Sequence, residues 1–146
     1  MPIARYRTVV FAFAIALSAC ASTPTSKSGD SLYRDLGGTA GITKVVDIFL
    51  ARVDADLRIN LFFEKTDHKD LRDLVIAQIC EASGGPCKYT GRSMEEAHSG
   101  LNLTDADFAA FVEDLIASMN DAKVSKSAQD RLLAILGPMK SQVVGQ

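Results

Sequence analysis

The chain has no tryptophan, and only two histidines and three cysteines among its 146 residues. Those counts exclude a His-rich or multi-Cys metal centre, and each histidine needs its own explanation. A basic surplus is also missing: 16 Lys and Arg face 18 Asp and Glu, for a formal net charge of −2. Nucleic-acid binders gather excess positive charge on one face, so no nucleic-acid partner is expected. No G-x-G-x-x-G follows a strand pattern, and the cysteines are too few for an iron–sulfur cluster, so no electron carrier of either kind is built in. No apolar run reaches the ~20 residues of a permanent membrane-spanning helix, and no stretch shows the period-two alternation of a strand. The remaining composition, 47% apolar and 23% charged, is that of one folded domain.

Three is an odd number of cysteines, and the N-terminus accounts for the odd one. Arg5 and Arg7 precede an apolar run, Val9 to Leu17, that ends in Leu17-Ser18-Ala19-Cys20. Charge, short apolar core and terminal quartet resemble a bacterial lipoprotein signal, cut before a lipidated Cys20. Residues 1–19 are therefore expected to be removed. The two arginines would leave with them, so 127 residues remain with 14 basic and 18 acidic groups, net −4. The resemblance, with Ala21 rather than Asp after the cysteine, implies a lipid anchor at Cys20 on the outer membrane of a bacterial envelope, facing the periplasm. Residues 20–30 are small and polar and read as the lipidated cysteine and a flexible tether. The folded domain is expected over 31–146.

That domain reads as helices. Ile42, Val45, Val46, Phe49, Leu50 and Val53 recur at helical spacing. Leu71, Leu74, Val75, Gln78 and Ile79 do so after Asp67, a predicted N-cap. Thr104 is placed to cap a helix carrying Phe108, Phe111, Val112, Leu115, Ile116 and Met119. A last stripe runs through Leu132, Leu133, Ile135, Leu136, Met139 and Val143, with a bend expected near Gly137-Pro138. The fold class is all-α. The odd piece is Gly84–Leu103, long for a helix connection. Within it Ser93-Met94-Glu95-Glu96 forms a capping-box pattern that starts a short helix ending at His98, with Ser99-Gly100 as a stop. So short a helix is marginal alone and needs something to hold it; a ligand under the histidine is one candidate.

Several features occur together: Gly37-Gly38 before the first long helix, Val46-Asp47-x-Phe49 and the pair Phe62-Phe63. With them come Gly84-Gly85-Pro86-x-x-Tyr89-x-Gly91-Arg92-x-Met94-x-x-Ala97-His98 and then Gly100-Leu101. The combination resembles the truncated haemoglobins of group I, over about 31–143. The resemblance implies a two-over-two helical sandwich around a b-type haem (iron protoporphyrin), with the proximal helix largely replaced by loop, and a diatomic gas (O2, CO or NO) as ligand. It makes His98 the proximal iron ligand. A neutral imidazole suits haem iron, and its tautomer is normally set by a hydrogen bond to the other ring nitrogen. Phe63 matches the aromatic that stacks on the porphyrin. Met94, Ala97, Leu103 and Phe108 are candidate apolar walls, each also explicable as plain core. Lys69, Arg72, Lys88 and Arg92 are candidates to pair with the propionates, Arg92 first among them.

On the distal side the chain departs from the better-known pattern. Many group I members carry Tyr at the position of Leu50 and Gln at that of Val75, whereas Leu50, Leu71 and Val75 are all apolar here. Gln78 is the one amide on that stripe and is expected to point at solvent. His68 is expected to be a solvated first-turn residue. Cys80 and Cys87, seven apart across a Gly-Gly-Pro turn, form an expected disulfide on their even count and the oxidising compartment. The expected function is reversible gas binding with an apolar distal pocket, suited to gas sensing or nitric oxide handling. Nitric oxide dioxygenase or peroxidase-like turnover would need a separate reductase. The alternative is a haem-free helical envelope lipoprotein that serves as an interaction module.

Overall fold

The computed structural model describes residues 28–146; the signal-like run, Cys20 and most of the tether lie outside the described residues. Six α-helices follow in order: α1 (Ser28–Asp35), α2 (Gly38–Ala55), α3 (His68–Ala82), α4 (Met94–His98), α5 (Asp105–Asp121) and α6 (Lys126–Leu136). Two 3-10 segments, Asn60–Phe62 and Gly137–Gln142, complete the path. No strand occurs among the described residues, so the all-helical expectation holds.

The helix starts are fixed chemically. The Asp67 carboxylate accepts from the backbone N–H groups of Lys69 and Asp70, the Ser125 hydroxyl accepts from that of Ala128, and Thr104 with Asp107 completes a capping box. Each satisfies donors that the first helical turn leaves without partners. Helix α1 begins at Ser28, inside the stretch read as tether. At eight residues it is too short to announce itself by periodicity. Near Gly137-Pro138 the chain passes from α-helix into a 3-10 segment rather than simply bending.

Helix α2 is the centre. Its six stripe residues, Ile42 to Val53, are all buried. They meet Leu32 and Leu36 of the N-terminal corner, Ile79 and Cys80 of α3, Ala110, Leu115 and Met119 of α5, and Leu132 of α6. The Phe49 and Phe111 rings pack edge to face at 4.7 Å between centroids, a favoured aromatic geometry. Ile135, expected on the inner stripe of the last helix, is exposed instead. Helix α2 packs extensively against both α3 and α5, while α3 has no comparable packing with any other helix. Because α3 lacks substantial packing against α4 and α5, we take the space between α3 on one side and α4 with the start of α5 on the other as the candidate cleft.

Candidate functional site

The walls of the cleft are apolar and incompletely covered. Leu71 and Val75 on α3, Met94 and Ala97 on α4, and Leu103 and Phe108 at the entry to α5 are all half-buried, as is Phe63 after the first 3-10 turn. Leu50 is buried in the α2 face behind them. In a well-packed core such residues would close on one another. Here each wall residue stays half-buried and keeps apolar surface that the fold does not cover.

On the α4 wall the geometry is specific. The Ser93 hydroxyl accepts from the Glu96 N–H, and the Glu96 carboxylate accepts from the Ser93 N–H, so the five-residue helix has a fixed start. Its last residue, His98, is half-buried and has Nδ1 2.6 Å from the Met94 carbonyl oxygen, one turn back. A carbonyl only accepts, so Nδ1 carries the proton and donates. Nε2 is then the lone-pair nitrogen of the neutral ring, and it has no hydrogen-bond partner among the described residues.

The loop that delivers α4 is fastened to the end of α3. Cys80 and Cys87 are joined by a disulfide with Cα atoms 5.7 Å apart. The Glu81 carboxylate accepts from Lys88 Nζ and from the Tyr89 N–H, each at 2.9 Å. The lysine and then that N–H hold the Glu81 carboxyl below the usual carboxylate range. The Tyr89 hydroxyl donates to the Arg92 carbonyl at 2.7 Å. Two glycines permit this path: a Cβ on Gly85 would lie 2.5 Å from the Tyr33 ring and 2.7 Å from Cys80 Sγ, and one on Gly91 would lie 2.4 Å from the Tyr89 hydroxyl. Beyond α4, the Gly145 N–H donates to Leu103 and the Asn102 N–H to Gln146. The C-terminus thus straps the far end of the short helix. These bonds hold α4 without any ligand.

Across the cleft, Leu50, Leu71 and Val75 offer no donor. Gln78 does not point at solvent as expected: its amide Nε2 lies 3.3 Å from Met94 Sδ and 3.7 Å from Met139 Sδ. Met139 was read only as part of a core stripe. It meets Gln78 from the 3-10 segment that follows Gly137, a placement that spacing alone does not reveal. His68 lies at the outer start of α3, with Nδ1 3.4 Å from the Asp54 carboxylate and nearly half exposed, a solvated first-turn residue.

The candidate cations separate clearly. Lys69 pairs with Asp73, Arg72 with Asp47 and Lys88 with Glu81. Arg92 has no carboxylate partner among the described residues and only a 3.3 Å bond to the Glu96 carbonyl.

The bacterial-like globin family matches residues 31–144. The chain belongs to that family. This globin is 33% identical over 131 residues to a group 1 truncated hemoglobin of Chlamydomonas moewusii, covering 88% of this chain and 77% of the relative. It is 37% identical over 111 residues to one of Synechocystis, covering 73% and 90%. In three dimensions it resembles the truncated hemoglobin of Tetrahymena pyriformis in its Fe(III) form, with TM-score 0.76, 29% identity, and 79% and 98% of the two chains covered. It also resembles the 2/2 hemoglobin of Synechococcus with covalently attached heme, with TM-score 0.73, 32% identity and the same coverage. The architecture is the two-over-two globin sandwich, and haem is the cofactor of the family.

The residues present fit that group. A flat apolar disc with an acidic edge needs two apolar walls that do not close on each other, a basic nitrogen with a free lone pair and an uncommitted cation. The walls of α3 and α4–α5, His98 Nε2 and Arg92 supply them.

Proposed function

We propose that this globin holds haem with His98 as proximal iron ligand and Phe63, Met94, Leu103 and Phe108 as apolar walls, and that it takes up diatomic gas against the donor-free face of Leu50, Leu71 and Val75. Haem, when bound, supplies the iron at which oxygen, carbon monoxide or nitric oxide is reversibly taken up. The observation that carries the reading is the His98 Nδ1 bond to the Met94 carbonyl, which fixes the tautomer and leaves Nε2 to face a metal. The disulfide and the Glu81 bonds hold that imidazole on a firm segment. Arg92, which has no carboxylate partner among the described residues, is our candidate to pair with a propionate.

The distal wall sets the preference. Oxygen gains from a hydrogen-bond donor because its outer atom becomes partly negative on binding; carbon monoxide gains much less. Without such a donor, oxygen release is fast and the balance favours carbon monoxide and nitric oxide. Gas sensing or nitric oxide handling suits such a pocket better than oxygen storage. Any turnover draws electrons from a separate reductase. The lipobox-like Leu17-Ser18-Ala19-Cys20 supports a lipid anchor at Cys20, placing the domain in the bacterial envelope at the outer membrane, facing the periplasm.

Absorption spectra of the purified protein test the reading: a Soret band and shifts with each gas are expected, and His98→Ala should lose normal haem stoichiometry. An unchanged spectrum and haem content in that variant would remove His98 from the iron. In membrane fractions, Cys20→Ala should move to the soluble pool; retention there would rule out the anchor.

A further inference from the structure

Gln78 is unusual in this cleft. It is a half-buried amide on an otherwise apolar stripe, and its two nearest acceptors are thioethers from different parts of the chain, Met94 on α4 at 3.3 Å and Met139 at 3.7 Å. A thioether sulfur can only accept. It therefore selects the amide orientation with Nε2 facing both sulfurs. Gln78 thereby joins three segments, α3, α4 and the 3-10 segment after α6. Helix α3 has no substantial packing against α4, so this is a specific link from one wall to the other.

Met94 has two roles. Its side chain receives Gln78, and its backbone carbonyl receives His98 Nδ1 at 2.6 Å. The path from α3 to the imidazole therefore runs through one residue: the amide fixes the Met94 side chain, and Met94 sits at the first position of α4, whose carbonyl orients the ring. We propose that Gln78 is a positioning residue for the proximal histidine, acting through Met94, and not a donor to the bound gas. It makes the orientation of His98 depend on the placement of α3, the helix that carries the gas-facing Leu71 and Val75. The proposal rests on His98 as the iron ligand.

The test compares Gln78→Leu and Met94→Leu with the parent. Gln78→Leu removes the amide donor and leaves an apolar side chain one bond shorter. Met94→Leu removes the sulfur and keeps the carbonyl. With only two histidines in the chain, imidazole 15N shifts are readily assigned in the haem-free protein, at a pH where the rings are neutral. In the parent, His98 should show a single tautomer protonated at Nδ1. In both variants its shifts should move toward the average of the two tautomers. In the haem-loaded variants the iron–histidine stretching band should shift or broaden, and haem transfer to an acceptor globin should run about two- to fivefold faster, the scale of one weak hydrogen bond. In Gln78→Leu the ratio of oxygen to carbon monoxide affinity should stay the same.

Unchanged 15N shifts together with an unchanged iron–histidine band would overturn the proposal. A changed gas ratio in Gln78→Leu with an undisturbed proximal band would also overturn it and make Gln78 a distal donor. If the parent shows no iron–histidine band, the ligand assignment fails. The 15N shifts of the haem-free protein still decide whether Gln78 orients the ring.

Discussion

Leu50 is buried on α2, behind the half-buried Leu71 and Val75 of α3, and none of the three carries a hydrogen-bond donor. A neutral hydrogen bond is worth about 0.5–1.5 kcal/mol net, and more when it meets charge, while 1.4 kcal/mol is about tenfold in affinity. Leu50→Tyr should therefore slow oxygen release by roughly tenfold and leave carbon monoxide release nearly unchanged. Flash photolysis with each gas checks this. Equal slowing of both gases would mean that the ring acts by bulk alone. The larger side chain in a packed position should also cost about 1–3 kcal/mol of stability, visible as a lower thermal midpoint. Single residues differed in how far sequence could place them. His98 was legible because a capping box, a stop and a motif surround it within a few positions. Gln78 was not, because its fate depends on Met139, 61 residues away, and no local pattern reports where a distant thioether will lie.

The segment between α3 and α4 has almost no regular structure, yet it is tied down at short intervals by the Cys80–Cys87 disulfide, the Glu81 carboxylate and the Tyr89 hydroxyl. Glu81 gives it a pH dependence of known sign. Lys88 and the Tyr89 N–H lower its folded-state pKa below the ordinary 4.5. Its contribution is thus fully present above that value and is lost as pH falls through the lowered one. Haem release from the parent should accelerate on acidification below the ordinary carboxylate range. Glu81→Gln should release haem faster already at neutral pH and show a shallower acid dependence. Stopped-flow haem transfer across pH measures both. A parent and variant with the same acid slope would show that Glu81 does not govern the loop. Part of the slope should persist in the variant, since Arg72 lowers Asp47 and Arg58 lowers Asp56 in the same sense. Among the elements, α2, α3 and α5 were legible because strong apolar stripes follow clear starts. Helix α1 and the C-terminal strap onto Leu103 were not: one is too short for periodicity, and the other is made of backbone bonds that any residues could form.

Across the whole molecule, stability is concentrated on one axis. Helix α2 buries a continuous stripe against α5 on one side, closed off by Leu132 of α6, and against the inner end of α3 on the other. The outer part of α3, from Leu71 to Gln78, and all of α4 have no fully buried apolar residue of their own. A ligand that binds only the folded cleft stabilises it by mass action, and the effect is largest where other packing is thinnest. Haem should therefore protect unequally. On its removal, backbone amide exchange should rise most in residues 68–78 and 94–98. It should rise less in α2 and α5, whose fully buried residues pack mostly on one another, and Ile79 and Cys80 should mark the boundary inside α3. Hydrogen–deuterium exchange on the haem-free and haem-loaded forms at one pH measures this directly. The disulfide sharpens the expectation, because it ties the first residues of the loop to the protected end of α3, so the loop should open from its α4 side. Equal loss of protection in α2, α3 and α5 would mean that the fold is one cooperative unit that haem holds together throughout. A graded loss would make α2 with α5 a scaffold that stands in advance of the cofactor and keeps the imidazole of His98 within reach of it.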